Sequence, residues 1–124
     1  MLPLKADELT ILPSKEPGSV RLTWLGKSSS REPGVALRPY LGSAVEEAAR
    51  DCAVLELRFE KLEHFNSSTV AELIRLVNVA REKKVMLALY YDGAQRWQAL
   101  SFQALDKAMK PFEGESATVR VIAL

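Results

Sequence analysis

The sequence predicts a single α/β domain over residues 1–124, with a mixed β-sheet, crossover helices and an N-terminal β-hairpin. Several short segments alternate apolar and polar residues, which is the pattern of half-buried strands. In the second half of the chain, helical segments separate these strands, and this alternation predicts parallel strands joined by right-handed crossovers. Two strand-like segments flank a Pro/Gly turn near the N-terminus, so a hairpin adds antiparallel pairing at one side of the sheet.

Composition and charge narrow the class of protein. With 48% hydrophobic and 27% charged residues, the chain has enough apolar material for one core and does not resemble a disordered protein. The net charge is +1 and the basic residues are dispersed, so we expect binding neither to nucleic acid nor to a membrane surface. Cys52 is the only cysteine, and no signal peptide or membrane helix is evident. These features predict a cytoplasmic protein.

The first half of the chain contains two predicted strands and one predicted helix. Val20, Leu22 and Trp24 alternate with polar residues, as in a half-buried strand. Ser43 and Glu46 form a Ser-x-x-Glu pattern, which predicts a capping box at a helix start. In chain order, the predicted elements are a strand over Glu8–Leu12, a turn at residues 13–18, a strand over Ser19–Leu25, a polar loop over Gly26–Gly34 and a helix from Ser43 to about Arg50.

The second half alternates strands and helices. Val85–Tyr91 is a continuous apolar run, which predicts a central strand covered on both faces. The predicted elements are a strand over Ala53–Phe59, a helix over Ser68–Glu82, the Val85–Tyr91 strand, a helix over Ala94–Met109 ending near Pro111 and Gly114, and a strand over Thr118–Leu124. The expected buried stripe of the first helix comprises Val70, Leu73, Ile74 and Val77, with Val79 facing solvent. That of the second comprises Trp97, Leu100, Ala104 and Ala108.

Functional sites of open parallel sheets lie beyond the carboxyl ends of the strands. The connection over residues 60–69 leads into Asn66-Ser67-Ser68-Thr69, at the start of the predicted helix. Asn, Ser and Thr are preferred N-cap residues, so helix capping explains this run without any regulation. A phosphate on Ser67 would meet free backbone N–H groups and the positive end of the helix dipole. It would add about −1.5 to −2 charges and alter partner binding while leaving the core intact.

The run from Val54 to Ile74 resembles the core of STAS domains, which include the bacterial anti-sigma factor antagonists. In that family an apolar strand and a short loop precede Asp-Ser-Ser-Gly-Leu, which opens an amphipathic helix. A basic turn and a second apolar strand follow, and Lys83-Lys84 and Val85–Tyr90 occupy those places here. The resemblance covers roughly Leu55–Met109. It implies a STAS-like fold without a catalytic centre, cofactor or metal.

The resemblance also implies a phosphorylation switch. Ser67 falls on the family's phosphoacceptor, which a serine kinase of the anti-sigma type modifies and a phosphatase resets. Asn66 replaces the family's Asp, Ser68 matches its second serine, Thr69 replaces its Gly and Val70 matches its Leu. The sequence leaves the oligomeric state open, including a possible homodimer. The predicted partner-binding residues are Asn66, Ser68, Thr69, Glu72, Arg75, Leu76, Val79, Tyr91, Asp92 and Arg96.

Two alternatives remain open. In the first, the chain is a constitutive accessory subunit of a larger signalling or transport assembly, and the phosphorylation chemistry has been lost. In the second, the chain is a small enzyme. An enzyme could use only His64 and Asp92 beside Ser67, with the nearby acids Glu60 and Glu63. The sequence contains no Gly-x-Ser-x-Gly or nucleotide-binding glycine motif, and its single histidine argues against a zinc site.

Overall fold

A computed structural model of the chain describes residues 1–109 and 119–124. The predicted helix end near Pro111 and Gly114, and the predicted strand start at Thr118, lie outside the described residues. Within these ranges no helix is long and apolar enough to cross a membrane. The elements, in chain order, are β1 (Leu4–Ala6), β2 (Leu9–Glu16), β3 (Ser19–Ser28), α1 (Gly34–Asp51), β4 (Val54–Arg58), β5 (Leu62–Phe65), α2 (Ser67–Glu82), β6 (Leu87–Tyr91), α3 (Arg96–Met109) and β7 (Val119–Ala123).

The N-terminal hairpin is confirmed. β2 and β3 pair in antiparallel register from Leu9 opposite Gly26 to Glu16 opposite Ser19, and β1 adds a third antiparallel strand. Pro17 and Gly18 form the turn, and Gly18 has φ +84°, the positive value that the third residue of a type II turn requires.

The rest of the sheet is parallel. β3 pairs with β4, β4 with β6, and β6 with β7, and each crossover contains one helix. The strand order is β1-β2-β3-β4-β6-β7, and β5 pairs with the end of β3. The predicted mixed sheet with crossover helices is therefore confirmed. β5 was not predicted, because its buried residues Leu62 and Phe65 lie three apart and show no period of two.

The core lies on one face of the sheet. Leu55 and Leu57 of β4 are fully buried, while the intervening Glu56 is half-buried, as the alternation predicts. Trp24 packs against Phe59 with ring centroids 4.9 Å apart. The other face carries half-buried side chains such as Tyr90, whose ring lies 4.6 Å from the Arg58 guanidinium carbon. The prediction that β6 is covered on both faces is therefore wrong at Tyr90.

Helix α1 begins nine residues earlier than predicted. Ser43 lies exposed within the helix, so the capping-box prediction is wrong. The local sequence around Pro39 predicts a break in the helix, because proline has no N–H to donate within it. The helix continues through Pro39, which is exposed, and the burial of Leu37 and Leu41 against the core offsets the lost hydrogen bond. A Cβ at Gly34 would lie 2.8 Å from a Glu72 carboxylate oxygen, so glycine permits the close approach of α1 to α2.

The buried faces of α2 and α3 are rotated from those predicted. In α2, Val70 and Ile74 are only half-buried, and Val79 packs toward α1 rather than facing solvent. The reason is that α1 lies beside α2 and widens its buried face. The buried residues of α2 are Thr69, Glu72, Leu73, Leu76, Val77 and Ala80. The buried residues of α3 are Gln98, Phe102, Leu105 and Met109, so its predicted stripe lies on another face.

Candidate functional site

Hydrogen bonds of Asn66 hold the turn from β5 into α2 in place. Its Oδ1 accepts a hydrogen bond from the Thr69 N–H at 2.9 Å, which confirms the predicted N-cap. Its Nδ2 donates to the Ser30 carbonyl at 2.8 Å, and its backbone N–H donates to the Ser28 carbonyl at 3.0 Å. The start of α2 is therefore held against the carboxyl end of β3.

Thr69 lies inside the protein rather than on a partner-facing surface. Its Oγ1 is 2.7 Å from the Ser28 Oγ, and both residues are buried. The same oxygen lies 2.9 Å from the Asn66 Oδ1. The prediction of an exposed contact residue is wrong here because the end of β3 passes beneath the first turn of α2. Thr69 instead positions the turn.

Removing the Thr69 hydroxyl should loosen this turn. We expect Thr69→Val to lower the free energy of unfolding by about 1–3 kcal/mol, because it leaves the buried Ser28 hydroxyl without its partner. Thr69→Ser keeps the hydroxyl and should cost about 1 kcal/mol or less, as it removes one methyl group. Urea unfolding followed by circular dichroism measures both changes. Equal stability of the valine variant and the wild type would show that the hydroxyl pair is dispensable.

Ser67 is exposed at the first residue of α2. At a helix start, the first N–H groups have no helical acceptor, and here these belong to Ser67 and Ser68. Ser68 is half-buried and lines an open cleft of about 490 Å³ together with Arg31 and Arg38. The Ser67 side chain is therefore accessible, and the neighbouring Ser68 borders a cleft that is lined by both cationic and acidic side chains.

The flank of α2 beyond this cleft is covered by α1. Arg38 donates to both carboxylate oxygens of Glu72, at 2.9 and 3.0 Å, and these bonds raise the pKa of the Arg38 guanidinium. Glu72 and Leu76 are buried, and Val79 is half-buried in the groove between the helices. These three residues belong to the predicted partner-binding set, but α1 packs over them, so they form no open surface. Arg75 is exposed.

The connection from β6 into α3 holds three of the predicted partner-binding residues. Tyr91 is buried and stacks on Phe102 with ring centroids 5.1 Å apart, so it does not belong to an open surface. Asp92 is half-buried, and its Oδ1 accepts a hydrogen bond from the Ala94 N–H at 2.9 Å, which shapes the start of α3. Arg96 is exposed.

Gln98 is a structural residue that sequence reasoning missed. It is fully buried, and its Nε2 donates to the carbonyls of Phe59 at 2.7 Å and Leu62 at 3.0 Å. Its Oε1 accepts from the Asp92 N–H at 2.7 Å. One amide thus joins the ends of β4, β5 and β6. Its spacing of four residues from Phe102 places it on the buried face of α3 and was the available signal.

Two of the residues considered for a catalytic role, Glu60 and His64, make contacts with neighbouring side chains of the fold. Burial is the largest single influence on the Glu60 carboxyl and raises its pKa, but hydrogen bonds from Arg58, a backbone hydrogen bond and the charges of Arg58 and Lys61 together lower it below the usual value. The exposed His64 lies beside Trp97, with ring centroids 6.4 Å apart. Among residues 1–109 and 119–124, no hydrogen bond joins Ser67 to His64 or Asp92, and no three His, Cys, Asp or Glu residues cluster as metal ligands do.

No protein-family model matches the chain, and no curated protein matches it. Its structure is similar to a crystal structure of an anti-sigma factor antagonist from Mycobacterium paratuberculosis. The TM-score is 0.56, the sequence identity is 17%, and the alignment covers 85% of this chain and 86% of the other. At this identity the similarity is one of fold. The STAS resemblance that the run from Val54 to Ile74 indicated is thus confirmed at the level of the fold: this chain has the architecture of an anti-sigma factor antagonist.

Proposed function

We propose that this chain is a non-catalytic, cytoplasmic regulatory module that binds a protein partner and is switched by phosphorylation of Ser67. The observation that carries the proposal is an exposed serine hydroxyl at the first residue of a helix whose start is fastened by Asn66 and Thr69. A phosphoryl group there would meet free N–H groups and the positive end of the helix dipole. The fold therefore tolerates the modification, whereas a docked partner does not.

The proposed partners are a serine kinase of the anti-sigma type and a phosphatase that resets Ser67. The contact surface keeps the accessible members of the predicted set, which are Asn66, Ser68, Arg75, Asp92 and Arg96. It leaves out Thr69, Glu72, Leu76 and Tyr91, which are buried, and Val79, which packs toward α1.

Phosphorylation should occur at Ser67 and weaken partner binding. We expect the purified kinase encoded nearest the gene to transfer one phosphate from ATP to Ser67, which peptide mass spectrometry locates. Ser67→Ala should abolish this incorporation, while the neighbouring Ser68→Ala should retain it. The phosphorylated protein should bind the kinase at least tenfold more weakly, because a dianion is costly to desolvate at an interface. If the phosphate is found on another residue and Ser67→Ala behaves as the wild type, the proposed phosphorylation switch at Ser67 is wrong.

One observation favours a constitutive binding module as the second candidate. Both residues that depart from the family pattern, Asn66 and Thr69, use their side chains in hydrogen bonds within the turn. Such a turn serves as a structural cap without any phosphate. Ser67→Glu separates the candidates, since a switch loses affinity for its partner while a cap-only serine changes stability by about 1 kcal/mol or less.

A further inference from the structure

The β3–α1 loop, which covers residues 29–33, is attached to the turn that carries Ser67. The Nδ2 of Asn66 donates to the Ser30 carbonyl at 2.8 Å. The N–H of the same residue donates to the carbonyl of Ser28, the last residue of β3, at 3.0 Å. Asn66 therefore holds the loop beside the start of α2, and a partner that reaches Ser67 also meets the loop.

The open cleft of about 490 Å³ that Ser68 lines lies between the β3–α1 loop and α2. Val35, the second residue of α1, lines the same cleft, and 75% of its surface is exposed. It also borders a second pocket of about 300 Å³, whose other walls include the β1–β2 turn and the end of β3. Single exposed apolar residues are common on proteins. Val35 differs from these because it stands beside two recesses that can accept side chains of a partner.

Three arginines give this surface its accessible positive charge. Arg31 and Arg38 are exposed in the cleft. Arg75 is exposed in the groove between α1 and α2, which Arg38 also lines. No salt bridge within the described residues engages Arg31 or Arg75, so both are available to a partner.

The two acids of the cleft offset this charge only in part. Glu72 is buried, and Arg38 donates to both of its oxygens while the arginine side chain stays 54% exposed. Glu32 is exposed. The surface therefore presents three guanidinium groups and one accessible carboxylate to solvent. This balance of charges favours a partner segment that carries negative charge.

We propose that an acidic segment of the partner kinase docks in the cleft between the β3–α1 loop and α2. Its carboxylates meet Arg31, Arg38 and Arg75, since guanidinium groups form strong, charge-assisted hydrogen bonds with carboxylates. An apolar side chain of the same segment packs beside Val35. The inference rests on the proposed function and adds the chemistry of the segment that docks. A phosphate on Ser67, at the edge of this surface, repels the acidic segment and competes with it for the arginines.

The test measures the affinity of the full chain for the purified kinase by isothermal titration calorimetry. Arg31→Glu and Arg75→Glu should each weaken binding about tenfold, because they reverse charges that attract the segment. Val35→Asp should weaken it as well, and aspartate is compatible with the first turn of a helix. The matched control is Arg120→Glu, the same reversal at an exposed position of β7, which should bind within about twofold of wild type. Melting temperatures establish that all variants fold.

Salt provides a second measurement of the charge pairing. The affinity of the wild-type chain should fall as sodium chloride is raised, because salt screens exposed charges. A double variant with Arg31→Gln and Arg75→Gln should show a smaller salt dependence. If the wild-type affinity does not change with salt, the acidic segment is not what docks and the proposal is wrong.

The outcomes separate this inference from the switch. If Arg31→Glu and Arg75→Glu bind like Arg120→Glu while the kinase phosphorylates Ser67, the docking proposal is wrong and the switch stands. If both arginine variants lose affinity but Ser67 takes no phosphate, the docking surface stands and the switch fails. Self-association that Arg31→Glu abolishes, seen by sedimentation velocity, would assign the cleft to a second copy and overturn the proposal. If the kinase does not bind the wild-type chain, both proposals are wrong.

Discussion

Replacing Gln98 by leucine should lower the free energy of unfolding by about 3–5 kcal/mol, although leucine has a similar volume and suits a helix. The substitution leaves the Phe59 carbonyl, the Leu62 carbonyl and the Asp92 N–H without their side-chain partner. The Phe59 carbonyl still accepts a hydrogen bond from the Leu62 N–H at 2.9 Å, so the cost falls mainly on the other two groups, at about 1–3 kcal/mol for each buried polar group that loses its partner. Urea unfolding followed by circular dichroism measures the change, provided that the transition is two-state.

The matched control for this variant is Gln103→Leu, on the exposed side of the same helix. A surface substitution there should change stability by about 0.5 kcal/mol or less. Gln98→Glu should also destabilise the protein at neutral pH, because a carboxylate would face two carbonyl oxygens. If Gln98→Leu unfolds within about 1 kcal/mol of the control, the amide does not hold the three strand ends together.

Truncating Trp24 to alanine should cost about 3–5 kcal/mol, the range for removing a large aromatic side chain from a core. Trp24 is fully buried and packs against Phe59. Its indole Nε1 has no hydrogen-bond partner within the described residues, so the wild-type protein carries the cost of a buried, unpaired donor. Trp24→Phe removes that donor together with part of the ring. We therefore expect the phenylalanine variant to lose only about 1 kcal/mol, since the two effects oppose each other.

Trp97→Phe is the control for these two variants, because it removes an indole N–H that has an acceptor. The Trp97 Nε1 donates to the Gln95 Oε1 at 3.2 Å. Thermal and urea unfolding of the three variants give the ranking. A Trp24→Phe variant as unstable as Trp24→Ala would mean that the indole N–H has an acceptor or that the lost ring volume dominates.

The predictions that the structure confirms rest on patterns among residues close together in the chain. The alternation in β4 reflects burial on one side of a strand, and it is visible within five residues. The Asn66 cap is a contact between residues three apart in the chain, so it too could be predicted from the sequence. The start of α1 could not, because Pro39 and Ser43 give misleading local signals, and the packing of Gly34 against Glu72 joins residues far apart in the chain.

The same distinction applies to the candidate site. The hydroxyl pair of Ser28 and Thr69 joins residues 41 positions apart, and no local pattern indicates it. The buried face of α3 was misassigned because the helix has two apolar stripes, and only tertiary packing decides which one the core covers. Polar Gln98 lies on the face that the core does cover, so the predicted stripe did not include it. Helical spacing shows which residues share a face of a helix, but it does not decide which of two apolar faces the core covers.

The placement of β6 between β4 and β7 has a consequence for folding. β6 pairs with strands that reach it only after the helical crossovers of α2 and α3, so both ladders join segments far apart in the chain. Such contacts form slowly, because closing a long loop costs entropy before any pairing compensates for it. During synthesis the hairpin of β2 and β3 can form early, whereas one edge of β6 has no neighbour until β7 emerges from the ribosome. In that interval an apolar strand edge is open to other nascent chains, and aggregation is then most competitive with folding.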